Sequence, residues 1–154
     1  MKQLIIIFII GITACTVIES PEEGIEAITF QNIFPTSQSE TSSILNSTSN
    51  GTWKITGFEM ESINGFQSCR MDDLITLKND GTYDYDGGTK LCGAEDDQLI
   101  KSGTWILDYP SRVIIIDQGT ENEFSLYIES LTENEAIFST SYLGLDILGR
   151  FQKN

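Results

Sequence analysis

The sequence predicts an all-β fold with antiparallel strands, and three observations indicate it. From residue 50 onward, short runs of β-branched and aromatic residues alternate with turn residues. The connections are too short for the crossover that parallel neighbours need. No segment between 50 and 154 carries a sustained helical stripe of apolar side chains. We expect eight strands, at residues 52–62, 72–79, 82–86, 101–108, 112–117, 123–130, 135–142 and 145–152.

Within several runs the side chains alternate between apolar and polar. Trp105 and Leu107 share one face of their run, and Thr104 and Asp108 share the other. A strand of this kind has one face against a core and one face in water. Many such strands in succession are typical of a barrel or a sandwich.

The first run changes phase in its middle. Trp53 and Ile55 have one parity, whereas Phe58 and Met60 have the other, and Gly57 lies between the two pairs. A β-bulge adds one residue to a strand and bends it. We therefore expect a bulge at Gly57, with the bend that closure of a barrel requires.

The turn residues indicate how the strands are joined. Asn79-Asp80-Gly81 has the composition of a tight hairpin that needs a positive φ. The acidic residues here, with Asp84 and Asp86 following, suggest a calcium loop as an alternative. That match fails because Thr82 holds the first ligand position and Gly93 the last. We interpret the segment as a solvated hairpin and predict no metal site and no cofactor.

The amino-terminal residues predict an export segment. Lys2 precedes the apolar block 4–10, and two small residues stand directly before Cys15. The block is far below the roughly 20 residues of a spanning helix. The order aliphatic–small–small–cysteine resembles the lipobox of bacterial lipoproteins. That resemblance implies a signal peptide over 1–14 and a lipid on Cys15; the alternative is an ordinary secretory peptide with a chance cysteine.

Residues 15–49 are interpreted as a lipid-anchored tether. Pro21 and Pro35 interrupt regular structure, and residues 36–43 form a polar run with nothing to bury. Residues 24–34 receive no structural prediction. In lipoproteins that this chain resembles, an acidic stretch such as 19–23 can direct the protein to the cell surface, although any solvated tether looks similar. We expect an outer-membrane lipoprotein on the periplasmic face or the cell surface.

The charge balance limits the possible partners. The chain has 9 basic and 23 acidic residues and a net charge of −14. Nucleic acid is excluded as a partner because binding it requires clustered basic side chains. An anionic membrane surface would also repel the domain, so membrane attachment should come from the lipid anchor.

Two cysteines remain once Cys15 is assigned to lipid. Cys69 and Cys92 form an even pair in an exported chain, which is the setting in which disulfides persist. A redox or metal pair is the alternative, but the chain has no Cys-x-x-Cys spacing and no histidine. We predict a structural disulfide between them.

Gly51-Thr52-Trp53 opens the first of the eight expected strands. It is similar to the Gly-x-Trp motif that opens lipocalin barrels, and residues 50–154 resemble the lipocalin-like domains of bacterial lipoproteins. The resemblance implies an eight-stranded up-and-down barrel in which Arg150, on the last strand, packs across the Trp53 ring and closes the barrel floor. The chain shows no clear carboxy-terminal helix of the kind lipocalins have. The other matching segments are 69–73, 77–83, Cys92 and 103–105.

The resemblance also implies a function. We expect the barrel interior to bind a small apolar molecule, and the alternative is a solid barrel that acts as an interaction or structural module for an envelope protein. Catalysis is not expected, because the chain has no histidine, no free thiol and no nucleophile-like serine context. Aromatic residues at alternating positions are the candidates for lining a cavity, with ordinary core packing as the other interpretation: Tyr83, Tyr85, Trp105, Phe124, Phe138 and Tyr142.

Overall fold

The computed structural model describes residues 27–46, 51–65, 67–90, 92 and 100–154. The predicted signal peptide 1–14 and the lipidation residue Cys15 lie outside these residues. In the described part, one helix, a 3₁₀ turn at Ser68–Asp72 and nine strands follow each other along the chain. Their bounds are α1 Gln38–Leu45, β1 Thr52–Met60, β2 Ile63–Asn64, β3 Leu74–Leu77, β4 Thr82–Asp86, β5 Ile100–Asp108, β6 Val113–Ile116, β7 Phe124–Leu131, β8 Glu135–Tyr142 and β9 Leu145–Lys153.

The strands form one closed antiparallel barrel. Each strand from β3 to β9 pairs with the next along the chain, and β1 pairs with both β3 and β9. The two-residue strand β2 only extends the edge of β1 beyond β3. Eight strands therefore make the wall, as predicted, and the closed sheet has no free edge between β1 and β9.

The barrel has two distinct ends. We call the end where β1 begins and β9 finishes the closed end, because α1 packs there. The opposite end, where β1 finishes and β9 begins, is the open end; it also holds the 3₁₀ turn and the tip of the β8–β9 hairpin.

The predicted bulge lies in β1. The register between β1 and β9 shifts between Ile55 and Gly57, so that β1 has one residue more than its partner. Beyond the shift, Phe58 pairs with Gly149 and Met60 with Ile147, on the same face as the core. The bulge therefore restores inward parity for the second half of β1, and the sequence-based expectation is confirmed.

The segment before β1 is not the solvated run that the sequence suggested. Residues 36–43 were expected to bury nothing, but most of them belong to α1, where Thr41 and Leu45 are fully buried. Ser37 caps the helix by accepting the Glu40 backbone N–H at 3.2 Å. The interpretation as a polar tether was wrong because a hydroxyl side chain satisfies the helix end, while Leu45 enters the core and Ile44 packs against it.

Residues 27–35 cross the outer face of the barrel from the open half towards the closed end. The Ile28 N–H donates to the Glu59 carboxylate, and the Ile33 carbonyl accepts from the Leu131 N–H at 2.7 Å. The Pro35 carbonyl accepts from the Tyr109 hydroxyl at 3.2 Å, at the β5–β6 turn. This segment covers the outward side of the β1 bulge before the chain enters α1.

No helix within 27–46, 51–65, 67–90 and 100–154 has the length and apolar character needed to cross a membrane.

Candidate functional site

The closed end is sealed by α1 and by the last residues of β9. The Trp53 indole N–H donates to the Leu45 carbonyl at 3.0 Å, which joins the Gly-x-Trp motif to the carboxyl end of the helix. The Lys153 ammonium lies 4.1 Å from the centroid of the Trp53 ring and donates to the Ile44 carbonyl. Burial lowers the pKa of Lys153. One cation therefore binds both the tryptophan and the helix end, where carbonyl groups favour positive charge.

The expected pairing of Trp53 with Arg150 is wrong, and strand parity explains the error. On β9, Phe151 and Lys153 point inward, so Arg150 points outward. There its guanidinium lies 3.7 Å from the Glu135 carboxylate and donates to the Thr29 carbonyl at 3.4 Å. Arg150 therefore fastens the crossing segment 27–35 to the outside of the barrel.

Four of the six candidate lining residues belong to the packed core. Tyr83, Tyr85, Trp105 and Phe138 are between 2% and 8% exposed and lie in one apolar cluster with residues from α1 and most of the strands. The Trp105 indole donates to the Lys78 carbonyl of the β3–β4 hairpin at 3.0 Å. Core packing accounts for the burial of these four aromatic side chains.

The other two candidates, Phe124 and Tyr142, are only partly buried and stand in the open half of the interior. They share this position with further side chains whose register places them on the inner face. The inward residues of the closed half, in contrast, are almost completely buried. The partly exposed inward residues of the open half are Phe58, Met60, Phe124, Leu126, Tyr142 and Ile147.

The wall opposite these residues is polar. Asp73, just before β3, is fully buried. It accepts from the Tyr85 hydroxyl at 2.7 Å and lies 3.4 Å from the Arg70 guanidinium. Burial raises the pKa of the Asp73 carboxyl, although Tyr85 and Arg70 favour its charged form. Lys101 faces the same side, 6.0 Å from the Tyr85 ring.

A second buried tyrosine follows the same pattern. The Tyr83 hydroxyl donates to Asp117 at 3.0 Å, and the other oxygen of that carboxylate accepts from the Thr104 N–H at 2.8 Å. Burial and this carboxylate raise the pKa of Tyr83. A Cβ at Gly103 would lie 2.2 Å from the Asp117 carboxylate, so only glycine leaves room for the contact. The glycine of the second Gly-Thr-Trp sequence therefore leaves room for the hydrogen bond between Tyr83 and Asp117.

The loops on the polar side of the open end are tied together. The predicted disulfide Cys69–Cys92 is present. Next to it, Asp72 accepts from the Thr89 N–H at 2.7 Å and the Lys90 N–H at 3.2 Å, and the first of these bonds lowers the pKa of Asp72. A disulfide of this kind indicates an oxidising, extracytoplasmic setting.

A separate groove of about 380 Å³ lies on the outer face, where β7, β8, β9 and the end of β1 meet. Its lining includes three carboxylates, Glu59, Glu129 and Asp146, together with Tyr127, which is 51% exposed. Most of its lining side chains point away from the interior, and Ile147, an inward residue of β9, also borders it.

Within the part of the chain that the structure describes, no three His, Cys, Asp or Glu side chains are grouped so as to hold a metal ion. In the hairpin considered as a calcium loop, Asp80 accepts from the backbone N–H and hydroxyl of Thr82 at 3.0 and 2.6 Å. Its carboxylate therefore stabilises the turn.

Comparison with known proteins gives the family. The profile of a family described as "Lipocalin-like domain" matches residues 49–135, more than half of the chain. The chain belongs to this lipocalin-like domain family. The matched residues run from the Gly-x-Trp motif to the start of β8, and proteins with such domains are typically non-catalytic binding proteins. None of the curated proteins that were searched matches the chain.

Several residues of the lipocalin-like domain that matter here were not singled out from the sequence. Leu126 and Ile147 were visible as inward positions of alternating runs. Asp73 follows Asp72 close to Cys69, and nothing in that local sequence separates a buried carboxylate from a solvated one. The alternation of β9 was a signal that could have separated Lys153 from Arg150, because Lys153 shares the parity of Ile147 and Phe151 whereas Arg150 has the opposite one.

Proposed function

We propose that this lipocalin-like protein is a lipid-anchored envelope protein that binds a small, mainly apolar molecule in the open half of its barrel. Cys15 would carry the anchor, and the outer membrane would hold the protein. The binding surface would be formed by the inward side chains of β1, β7, β8 and β9.

The observation that carries this proposal is the difference in exposure between the two halves of the interior. The closed half is filled, with Trp53, Ile55 and Phe151 all below 9% exposed. In the open half, inward apolar side chains such as Met60 and Leu126 remain partly exposed. Apolar surface that points into a barrel and is only partly covered by the core is suited to an apolar ligand.

The polar wall supports a ligand with one polar end. Lys101 is partly exposed across the interior from the apolar side chains, next to the buried pair of Tyr85 and Asp73. A few convergent polar groups in an apolar pocket are what orient a small molecule. The expected ligand is therefore an amphiphile with its apolar part against β1 and β7.

The test uses two neighbouring residues on β7 that point in opposite directions. Leu126→Gln places a polar amide on the inner face, whereas Tyr127→Gln changes the outer face and serves as the matched control. Native mass spectrometry of the full chain, purified in mild detergent, should show a co-purifying small molecule in the wild type and in Tyr127→Gln but not in Leu126→Gln. Absence of a bound molecule from the wild type, or its retention in Leu126→Gln, would contradict interior binding.

The anchor has a separate test. Cys15→Ser should release the protein from the membrane fraction, because a single lipid-modified residue supplies the attachment. A Cys15→Ser protein that still sediments with membranes would rule out this anchor while leaving interior binding untouched.

The outer groove favours a second candidate function. Its carboxylates Glu59, Glu129 and Asp146 would suit a cationic segment of an envelope protein, with Tyr127 as an apolar contact. The same pair of variants separates the two candidates. Loss of a co-purifying protein in Tyr127→Gln, with no small molecule in the wild type, would favour the interaction module.

A further inference from the structure

Three exposed aliphatic side chains stand together at the open end. Ile63 is 71% exposed, Leu143 84% and Leu145 39%. Ile63 lies on the β1–β2 hairpin and the other two on the β8–β9 hairpin; the Glu61 N–H donates to the Asp146 carbonyl at 2.9 Å and joins the two hairpins. We call these three residues the aliphatic rim.

The aliphatic rim continues the apolar inner wall. Ile63 pairs with Met60, and Met60 pairs with Ile147 on β9. Leu145 is two residues from Ile147 and therefore shares its face. Inward apolar positions thus lead from the open half of the interior to the edge of the barrel.

Leu143 has a backbone conformation that is unfavourable for leucine. Its φ is 51° and that of Gly144 is 81°, the pattern of a two-residue hairpin in which asparagine or glycine is preferred at both positions. A leucine with a positive φ is uncommon, and here the side chain has no packing to compensate for it. A strained and exposed leucine suggests that its side chain contacts something other than the protein itself.

The crossing segment shows on which side the anchor would lie. Ile28 contacts Glu59 and Gly57 near the open end of β1, and from there the chain runs towards the closed end. The described chain therefore begins, at Ala27, on the outside of the open half. Cys15 lies 12 residues before Ala27. A fully extended chain of that length reaches at most about 40 Å.

We infer that the aliphatic rim rests on the bilayer that holds the lipid anchor, so that an apolar ligand passes directly between the membrane and the barrel interior. This inference rests on the anchoring and the interior site of the proposed function. The partner surface is a bilayer of low charge, because the net charge of −14 and the neighbouring Glu61 and Asp146 disfavour anionic lipids.

The test uses tryptophan probes in the full, lipidated chain reconstituted into phosphatidylcholine vesicles. Leu143→Trp and Ile63→Trp place a probe on the aliphatic rim, the second at a backbone position without positive φ. Ser111→Trp places a matched probe in the exposed β5–β6 turn of the closed end. The buried Trp53 and Trp105 give the background, which is measured in the wild type.

Vesicles with brominated acyl chains should quench the two rim probes and shift their emission to the blue, and leave the Ser111→Trp probe as in plain vesicles. Equal quenching at both ends, or stronger quenching at Ser111→Trp, would overturn the inference although the anchor holds. Flotation of each sample with the vesicles reports the anchor itself. A chain that does not float would instead overturn the anchoring on which the inference depends.

Discussion

Lys153 is the residue that connects the floor of the barrel to the helix. Its ammonium contacts both the Trp53 ring and the Ile44 carbonyl, whereas Arg150, three residues earlier, lies on the outside. We expect Lys153→Met to lower the free energy of unfolding by about 1–2 kcal/mol, since a partly desolvated cation–π contact and a charged hydrogen bond are lost.

Arg150→Met is the matched comparison for that change, because it removes a cation of β9 that faces partly exposed partners. Its expected cost is below about 1 kcal/mol. Urea unfolding of both variants decides the assignment. A larger loss in Arg150→Met than in Lys153→Met would show that the outward arginine closes the barrel after all.

The buried Asp73 carboxyl should make the stability of the protein depend on pH. Its folded-state pKa is raised from 3.8 by burial, so the folded chain holds this proton more tightly than the unfolded chain does. The contribution of Asp73 to stability is therefore largest below 3.8 and is lost as the pH rises through the raised value. Asp73→Asn has no such proton.

The free energy of unfolding of Asp73→Asn, relative to the wild type, should accordingly increase as the pH rises above 3.8 and then stay constant. Denaturant titrations at a series of pH values measure the difference. Parallel curves for the two proteins across the acidic range would contradict a buried carboxyl with a raised pKa.

At the scale of the element, α1 stabilises the barrel mainly through Leu45, and Ile44 packs against the same cluster. Leu45 is fully buried in the cluster that contains Trp53. We expect Leu45→Ala to cost about 2–4 kcal/mol, because removal of a core leucine side chain leaves a cavity. Ser43→Ala, at an exposed position of the same helix, should change stability by less than about 0.5 kcal/mol.

Thermal and urea unfolding of Leu45→Ala and Ser43→Ala test this role of the helix. If α1 were a solvated part of a tether, both variants would behave alike. Equal stabilities of the two variants would contradict packing of α1 on the barrel and would support the earlier interpretation of a solvated tether.

At the scale of the whole molecule, the disulfide holds the long loops of the open end together. Cys69 and Cys92 are 23 residues apart in sequence. The double variant Cys69→Ser/Cys92→Ser should lose about 3 kcal/mol of stability on the chain-entropy estimate. Reducing agent should destabilise the wild type by a similar amount and leave the double variant unchanged. If the stability of the wild type did not change on reduction, this role of the disulfide would be contradicted.

The strands show how much of the barrel could be predicted from the sequence. All eight wall strands and the bulge at Gly57 could be predicted, because a two-residue period and turn residues are local signals. The pairing of Cys69 with Cys92 followed from composition and setting. The helix α1 could not be predicted, since its eight residues are mostly polar and only a barrel floor gives Leu45 something to pack against.

The sequence by itself therefore determined the all-β class, the order of the strands and the disulfide, which depend on neighbours along the chain. Only the tertiary structure decided that Lys153 rather than Arg150 covers Trp53, that Asp73 is buried beside Tyr85, and that apolar side chains stay uncovered in the open half. Those outcomes depend on which faces meet when the sheet closes. The partner that each inward side chain meets, and how far it is buried, are settled by contacts between residues that are distant in the chain, which a local pattern does not encode.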